Sequence, residues 1–156
     1  RNTAPVVDAD LRRPSIHALF RLRPKLGLAD YLSVGAPVER LLVDPGTDSL
    51  VIMPGNPRGG ATSEHLASPK MEMLVEELKA RYRDRIVIFD LPPVMVGDDV
   101  VAFAPRLDAM LLVIEDGKTD GNGCRKALEL LDGVNVIGTV LNKAEEVNSA
   151  YGDYYY

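Results

Sequence analysis

The sequence contains no tryptophan, one cysteine and two histidines. A single thiol, Cys124, excludes a disulfide framework within the chain, and His17 and His65 alone cannot complete a Cys/His zinc site beside it. No run approaches the roughly 20 apolar residues that span a bilayer as a helix, and the N-terminus lacks the charged-then-apolar layout of a leader peptide. The chain is therefore read as cytoplasmic. Positive charge is in deficit: 18 Lys and Arg face 23 Asp and Glu, a net charge of -5. The Arg-rich stretch 12–25 is interleaved with apolar residues, so nucleic acid is not an expected partner. What remains is an ordinary globular composition, 46% hydrophobic and 26% charged over 156 residues. A chain of that length can bury about 70% of its unfolded surface without staples.

Short apolar runs alternate with stretches of helical period, which predicts an α/β domain built on a mostly parallel sheet flanked by helices. The expected strands are Ala4–Val7, Leu50–Met53, Ile86–Phe89, Met110–Ile114 and Val136–Leu141. All are rich in Val, Ile and Leu with little polar alternation, as strands covered on both faces are. The clearest helix runs from Pro69 to about Tyr82, with Ser68 as its cap and Met71, Leu74, Val75, Leu78 and Tyr82 at helical spacing. A second is expected from about Asp120 to Leu131, burying Ala127, Leu128, Leu130 and Leu131 before Gly133 ends it. Between the first two strands, Pro24, Gly27 and Gly35 break the chain into short helices, and the Gly/Pro-rich stretch 54–60 forms a loop at a strand's carboxyl end.

Two strand ends carry the chemistry. In Val6-Val7-Asp8-Ala9-Asp10-Leu11-Arg12-Arg13-Pro14, an apolar strand delivers two carboxylates to the sheet's carboxyl edge, within reach of a hydrated Mg²⁺ or a proton in transfer. The same residues also suit a plain strand-to-turn exit, which Asp favours. In Ile86-Val87-Ile88-Phe89-Asp90-Leu91-Pro92-Pro93, four apolar residues feed one carboxylate followed by a stiff double proline. This has the form of a Walker B strand, whose Asp holds the cation that bridges nucleotide phosphates, although many α/β strands end in Asp.

Together the two motifs, about 80 residues apart, resemble the bacterial tyrosine kinases of exopolysaccharide and capsule synthesis, whose P-loop fold is related to the MinD and ParA ATPases. The first motif is similar to their Walker A′ element and the second to their Walker B. The resemblance extends through Gly27-Leu28-Ala29-Asp30-Tyr31-Leu32, Ser68-Pro69-Lys70-Met71, Asp116-Gly117-Lys118-Thr119 and Val140-Leu141-Asn142-Lys143 to essentially the whole chain. It implies a P-loop NTPase-like fold over residues 1–144 with ATP and Mg²⁺ as cofactors. Asp8 and Asp90 would organise the metal, Asp10 would accept or orient the proton of the tyrosine hydroxyl, Arg12 would steady phosphate or an acidic tail, and Asn142 would meet the adenine edge, with an Asn that ends a strand in a turn as the equal alternative. It also implies a ring-like homo-oligomer that phosphorylates in trans at the inner face of the cell membrane, with a membrane-anchored polysaccharide co-polymerase as activator.

Residues 145–156 read as a flexible tail, and it holds four of the six tyrosines: Tyr151, Tyr154, Tyr155 and Tyr156. The resemblance makes them the phosphoacceptors; a sticky terminal strand is the alternative. The sequence departs from the family in one respect. The Walker A loop G-x-x-x-x-G-K-[ST], whose backbone amides and lysine cradle phosphates, is absent from residues 1–156. Its expected place is before Arg1, so the chain is read as an incomplete kinase domain, inactive by itself. A MinD/ParA-like ATPase switch and a non-catalytic adaptor with a tyrosine docking tail are the competing readings.

Overall fold

The computed structural model describes residues 4–56 and 63–144, and in it the chain forms two compact units, residues 1–106 and 107–156. In the first, strands β1 (Ala4–Asp8), β2 (Leu50–Met53) and β3 (Ile88–Asp90) make a parallel sheet of order β2-β1-β3. Central β1 aligns Val7 with Met53 on one side and Asp8 with Asp90 on the other. Because β1 is paired along both edges, its end is enclosed: Val7, Asp8 and the following Ala9 are all fully buried. Parallel pairing needs crossovers: helices α1 (Ile16–Leu19) and α2 (Leu28–Val34) lie between β1 and β2, α3 (Ser63–Leu66) and α4 (Pro69–Arg81) lie between β2 and β3, and α5 (Asp99–Phe103) follows β3.

Helix α4 starts where its cap predicts, with the Ser68 hydroxyl accepting from the Met71 N–H at 3.3 Å and Pro69 in the first turn. Met71, Leu74, Val75 and Leu78 are its buried face. Phe103 of α5 is also fully buried and meets the Phe89 ring edge-on at 5.2 Å.

In the second unit, β4 (Met110–Glu115) and β5 (Val136–Asn142) form a parallel pair connected through α6 (Gly121–Leu130). The Asp120 carboxylate caps α6 by accepting from the Gly123 N–H at 2.7 Å. The strands thus fall into sheets of three and two. Three local expectations are corrected. The third strand begins at Ile88, because Ile86 lies 77% exposed ahead of the pairing with β1. Leu128 and Leu130 are about half exposed, whereas Ala127 and Leu131, four residues apart and so on one helix face, are buried. The Asp99–Phe103 helix was not foreseen. Among the described residues, no helix is long and apolar enough to cross a membrane.

Candidate active site

Three carboxylates converge at the carboxyl end of the β1–β3 pair. Asp8 and Asp90 are register partners, and the Ala9 N–H donates to the Asp90 carbonyl at 2.9 Å. Asp8 is fully buried. Its Oδ2 accepts from the backbone N–H groups of Ser15 at 2.9 Å and Ile16 at 3.1 Å, so this side chain fixes the turn into α1. Its Oδ1 is buried without a partner among the described residues. Burial pushes the carboxyl up from 3.8 to about 6 against the lowering effect of the two N–H groups, and the charges of Asp90 and Asp10 add to the rise. Asp90 is raised as well, chiefly by loss of hydration and then by Asp10.

Asp10 sits in the following turn, where its Oδ1 accepts from the N–H groups of Arg12 and Arg13 at 3.2 and 3.0 Å. Arg12 reaches α5: its Nε donates to the Asp99 carboxylate at 2.7 Å. Gly55, just past β2, closes over the site. A Cβ there would stand 2.7 Å from the Pro14 Cβ, 3.1 Å from the Asp8 carbonyl oxygen and 3.6 Å from its carboxyl carbon, so only glycine leaves this cradle open. A second anchor holds the same loop, because Asp30 accepts from the Gly27 N–H and from the Asn56 side chain, both at 2.8 Å. Gly27 permits the close approach, since its Cβ would fall 2.2 Å from the Pro54 carbonyl oxygen.

This arrangement fits a hydrated divalent cation. The charges of Asp90 and Asp10 raise the proton affinity of Asp8, that of Asp10 raises the proton affinity of Asp90, and Asp8 presents a buried oxygen with no donor; both features are relieved by positive charge. No group of three or more His, Cys, Asp or Glu side chains is disposed to cage a metal among the described residues. Mg²⁺ does not need one, because it keeps several waters and takes one or two carboxylates together with phosphate oxygens.

Asn142 belongs to the second unit, at the end of β5 opposite Glu115. It is exposed, and its Oδ1 accepts from the Lys143 N–H at 2.9 Å. Glu115 pairs with Lys143 at 2.9 Å and Lys118 at 3.2 Å, which holds its carboxyl below the usual range. Tyr151, Tyr154, Tyr155 and Tyr156 lie outside the described residues, as does the tail expected over 145–156. Sequence reasoning missed Gly55, Gly97 and Asp99. A Pro-Gly pair directly after a strand was a usable signal for the first; nothing in the spacing pointed to the other two.

A parallel α/β sheet with paired carboxylates at its carboxyl end defines the class, a P-loop NTPase-like fold. MinD from Pyrococcus horikoshii shares this architecture with a TM-score of 0.68 at 20% identity, over 89% of this chain and 57% of that one. No family model matches. The kinase domain of the Escherichia coli tyrosine kinase ETK superposes with a TM-score of 0.86 at 27% identity, over 99% of this chain and 60% of that chain. Tyrosine-protein kinase YwqD of Bacillus subtilis is 32% identical over 152 residues, 96% of this chain and 63% of that protein. Succinoglycan biosynthesis transport protein ExoP of Rhizobium meliloti is 32% identical over 173 residues, 96% of this chain and 21% of that protein. The chain belongs to the bacterial tyrosine-kinase family. It spans less than two thirds of the Bacillus relative's length.

Proposed function

We propose that this chain is part of an ATP-dependent protein-tyrosine kinase that controls exopolysaccharide or capsule synthesis and phosphorylates Tyr151, Tyr154, Tyr155 and Tyr156 of a neighbouring copy. The observation that carries the reading is the unpartnered, buried Asp8 Oδ1 beside Asp90 at the same register. The similarity to YwqD and ETK supports the reaction, and the similarity to ExoP supports the pathway.

Asp8 and Asp90 would hold Mg²⁺, which would supply positive charge to the nucleotide phosphates. The tyrosine oxygen attacks the γ-phosphorus, the bond to ADP breaks, and the phenolic proton passes to Asp10. One oxygen of Asp10 is occupied by the turn, and the other serves as base. Arg12 steadies the phosphate. Residues 1–156 contain no phosphate loop of the form G-x-x-x-x-G-K-[ST]. The kinase works as a ring at the cytoplasmic face of the membrane, activated by a membrane-anchored co-polymerase.

Incubation of the full-length protein with MgATP tests this: phosphotyrosine is expected in the terminal cluster and is lost in Asp10→Asn and Asp90→Asn. Undiminished phosphorylation in these variants would overturn the assignment.

A further inference from the structure

A buried carboxylate lies behind Arg12. Asp99, in the first turn of α5, is 2% exposed, yet the Arg12 Nε–H is its one side-chain partner among the described residues; its Oδ1 is buried and unpaired. A lone ion pair of this kind is a poor device for stability, because desolvating the carboxylate costs about as much as one contact returns. The ion pair does define where the guanidinium sits. Gly97 contributes the space. A Cβ there would stand 3.0 Å from the Arg12 Nη2, 3.5 Å from its Cζ and 3.6 Å from the Asp99 Oδ2, and its φ of +143° disfavours any side chain. The glycine therefore leaves room for the arginine head, and the aspartate fixes its inner edge. Arg12 remains 39% exposed, and its terminal nitrogens have no partner among the described residues. Its backbone N–H is meanwhile held by Asp10. The side chain is thus tied at its root to the Asp10 turn and at Nε to Asp99, with its outer donors left without a partner among the described residues.

We propose that Asp99 is a positioning residue that holds Arg12 for the terminal phosphate of a bound nucleoside triphosphate, with Gly97 shaping the slot. The inference rests on the nucleotide-binding part of the kinase reading. A planar guanidinium can donate to Asp99 on one edge and to phosphate on another, which the point charge of a lysine cannot.

The test is calorimetric binding of MgATPγS and MgADP to the full-length protein. Asp99→Asn and Arg12→Ala should each lower the preference for the triphosphate about tenfold while leaving ADP affinity unchanged, and the double variant should lose no more than either single one. Arg12→Lys, a substitution at a partly exposed position that does not threaten folding, should lose as much as Arg12→Ala. A purely structural Asp99 predicts the opposite: both nucleotides weakened alike, or losses that multiply in the double variant. Either result overturns the proposal, as does full triphosphate preference in Arg12→Lys. A wild-type protein that prefers ATPγS in this Asp99-dependent way but never phosphorylates tyrosine would refute the kinase reading and leave Asp99 in its role. A wild-type protein that binds no nucleotide refutes both.

Discussion

Replacing Asp8 by Asn separates what the fold needs at this position from what the site needs. The buried carboxyl sits at about 6 rather than 3.8, so the native protein binds a proton more tightly than the unfolded chain. The sign follows directly. Below pH 4 the group is neutral in both states and costs nothing electrostatically; as pH rises from about 4 through about 6, stability falls, and above that it stays reduced. The interval from 3.8 to about 6 corresponds to about 3 kcal/mol, an order-of-magnitude figure. Asparagine keeps an oxygen for the Ser15 and Ile16 N–H groups but cannot ionise. The informative quantity is therefore the pH dependence of the difference between wild type and variant, since any cost of burying the new amide is the same at every pH. Urea unfolding followed by far-UV circular dichroism at pH 4 and pH 7.5 should show Asp8→Asn gaining about 2–3 kcal/mol relative to wild type over that interval. Parallel stability curves for the two proteins would refute the burial argument.

Other consequences are as direct. If Asp8 is a cation ligand, Mg²⁺ competes with its proton, and apparent Mg²⁺ affinity in the full-length protein should weaken steadily as pH drops below about 6; a flat profile in a titration between pH 5 and 7.5 counts against it. Phe103→Ala removes a fully buried ring that meets Phe89 edge-on and should cost about 3–5 kcal/mol in denaturant unfolding, with the effect confined to the first unit. Gly27→Ala forces a Cβ against the Pro54 carbonyl and should detach the loop after β2, read as faster amide exchange at Leu28 and Ala29, whose N–H groups donate to Pro54 and Gly55. Phosphorylation of the four terminal tyrosines adds about -6 to -8 charges to a chain already at -5 and should weaken self-association. Equal sizes of the modified and unmodified proteins in light scattering would contradict that.

Much of the architecture was legible because buried parallel strands announce themselves. Leu50–Met53 is found with the expected ends, and Ser68-Pro69 marks the start of α4 through capping chemistry that depends only on neighbouring residues. Asp8 and Asp90 were legible as strand-end carboxylates, and the register places them side by side. What stayed hidden depends on distant pairing. The division of the strands into two sheets follows from which edges meet, not from composition. The apolar residues of α6 and its C-cap looked equivalent, but Ala127 and the capping Leu131 are buried while Leu128 and Leu130 are about half exposed. Asp99 lies 87 residues from Arg12, and a Gly-Asp-Asp stretch gives no sign that one of its carboxylates is buried against an arginine. Gly55 is likewise defined by the Pro14 and Asp8 atoms it approaches.

The central claim is that the carboxylate edge transfers phosphate to the terminal tyrosines. The most direct measurement is site-resolved mass spectrometry of the full-length protein after incubation with MgATP, comparing wild type with Asp90→Asn. The predicted result is phosphate on Tyr151, Tyr154, Tyr155 and Tyr156 in the wild type and none in the variant. Phosphate absent from the cluster in the wild type, or retained there in Asp90→Asn, would contradict it.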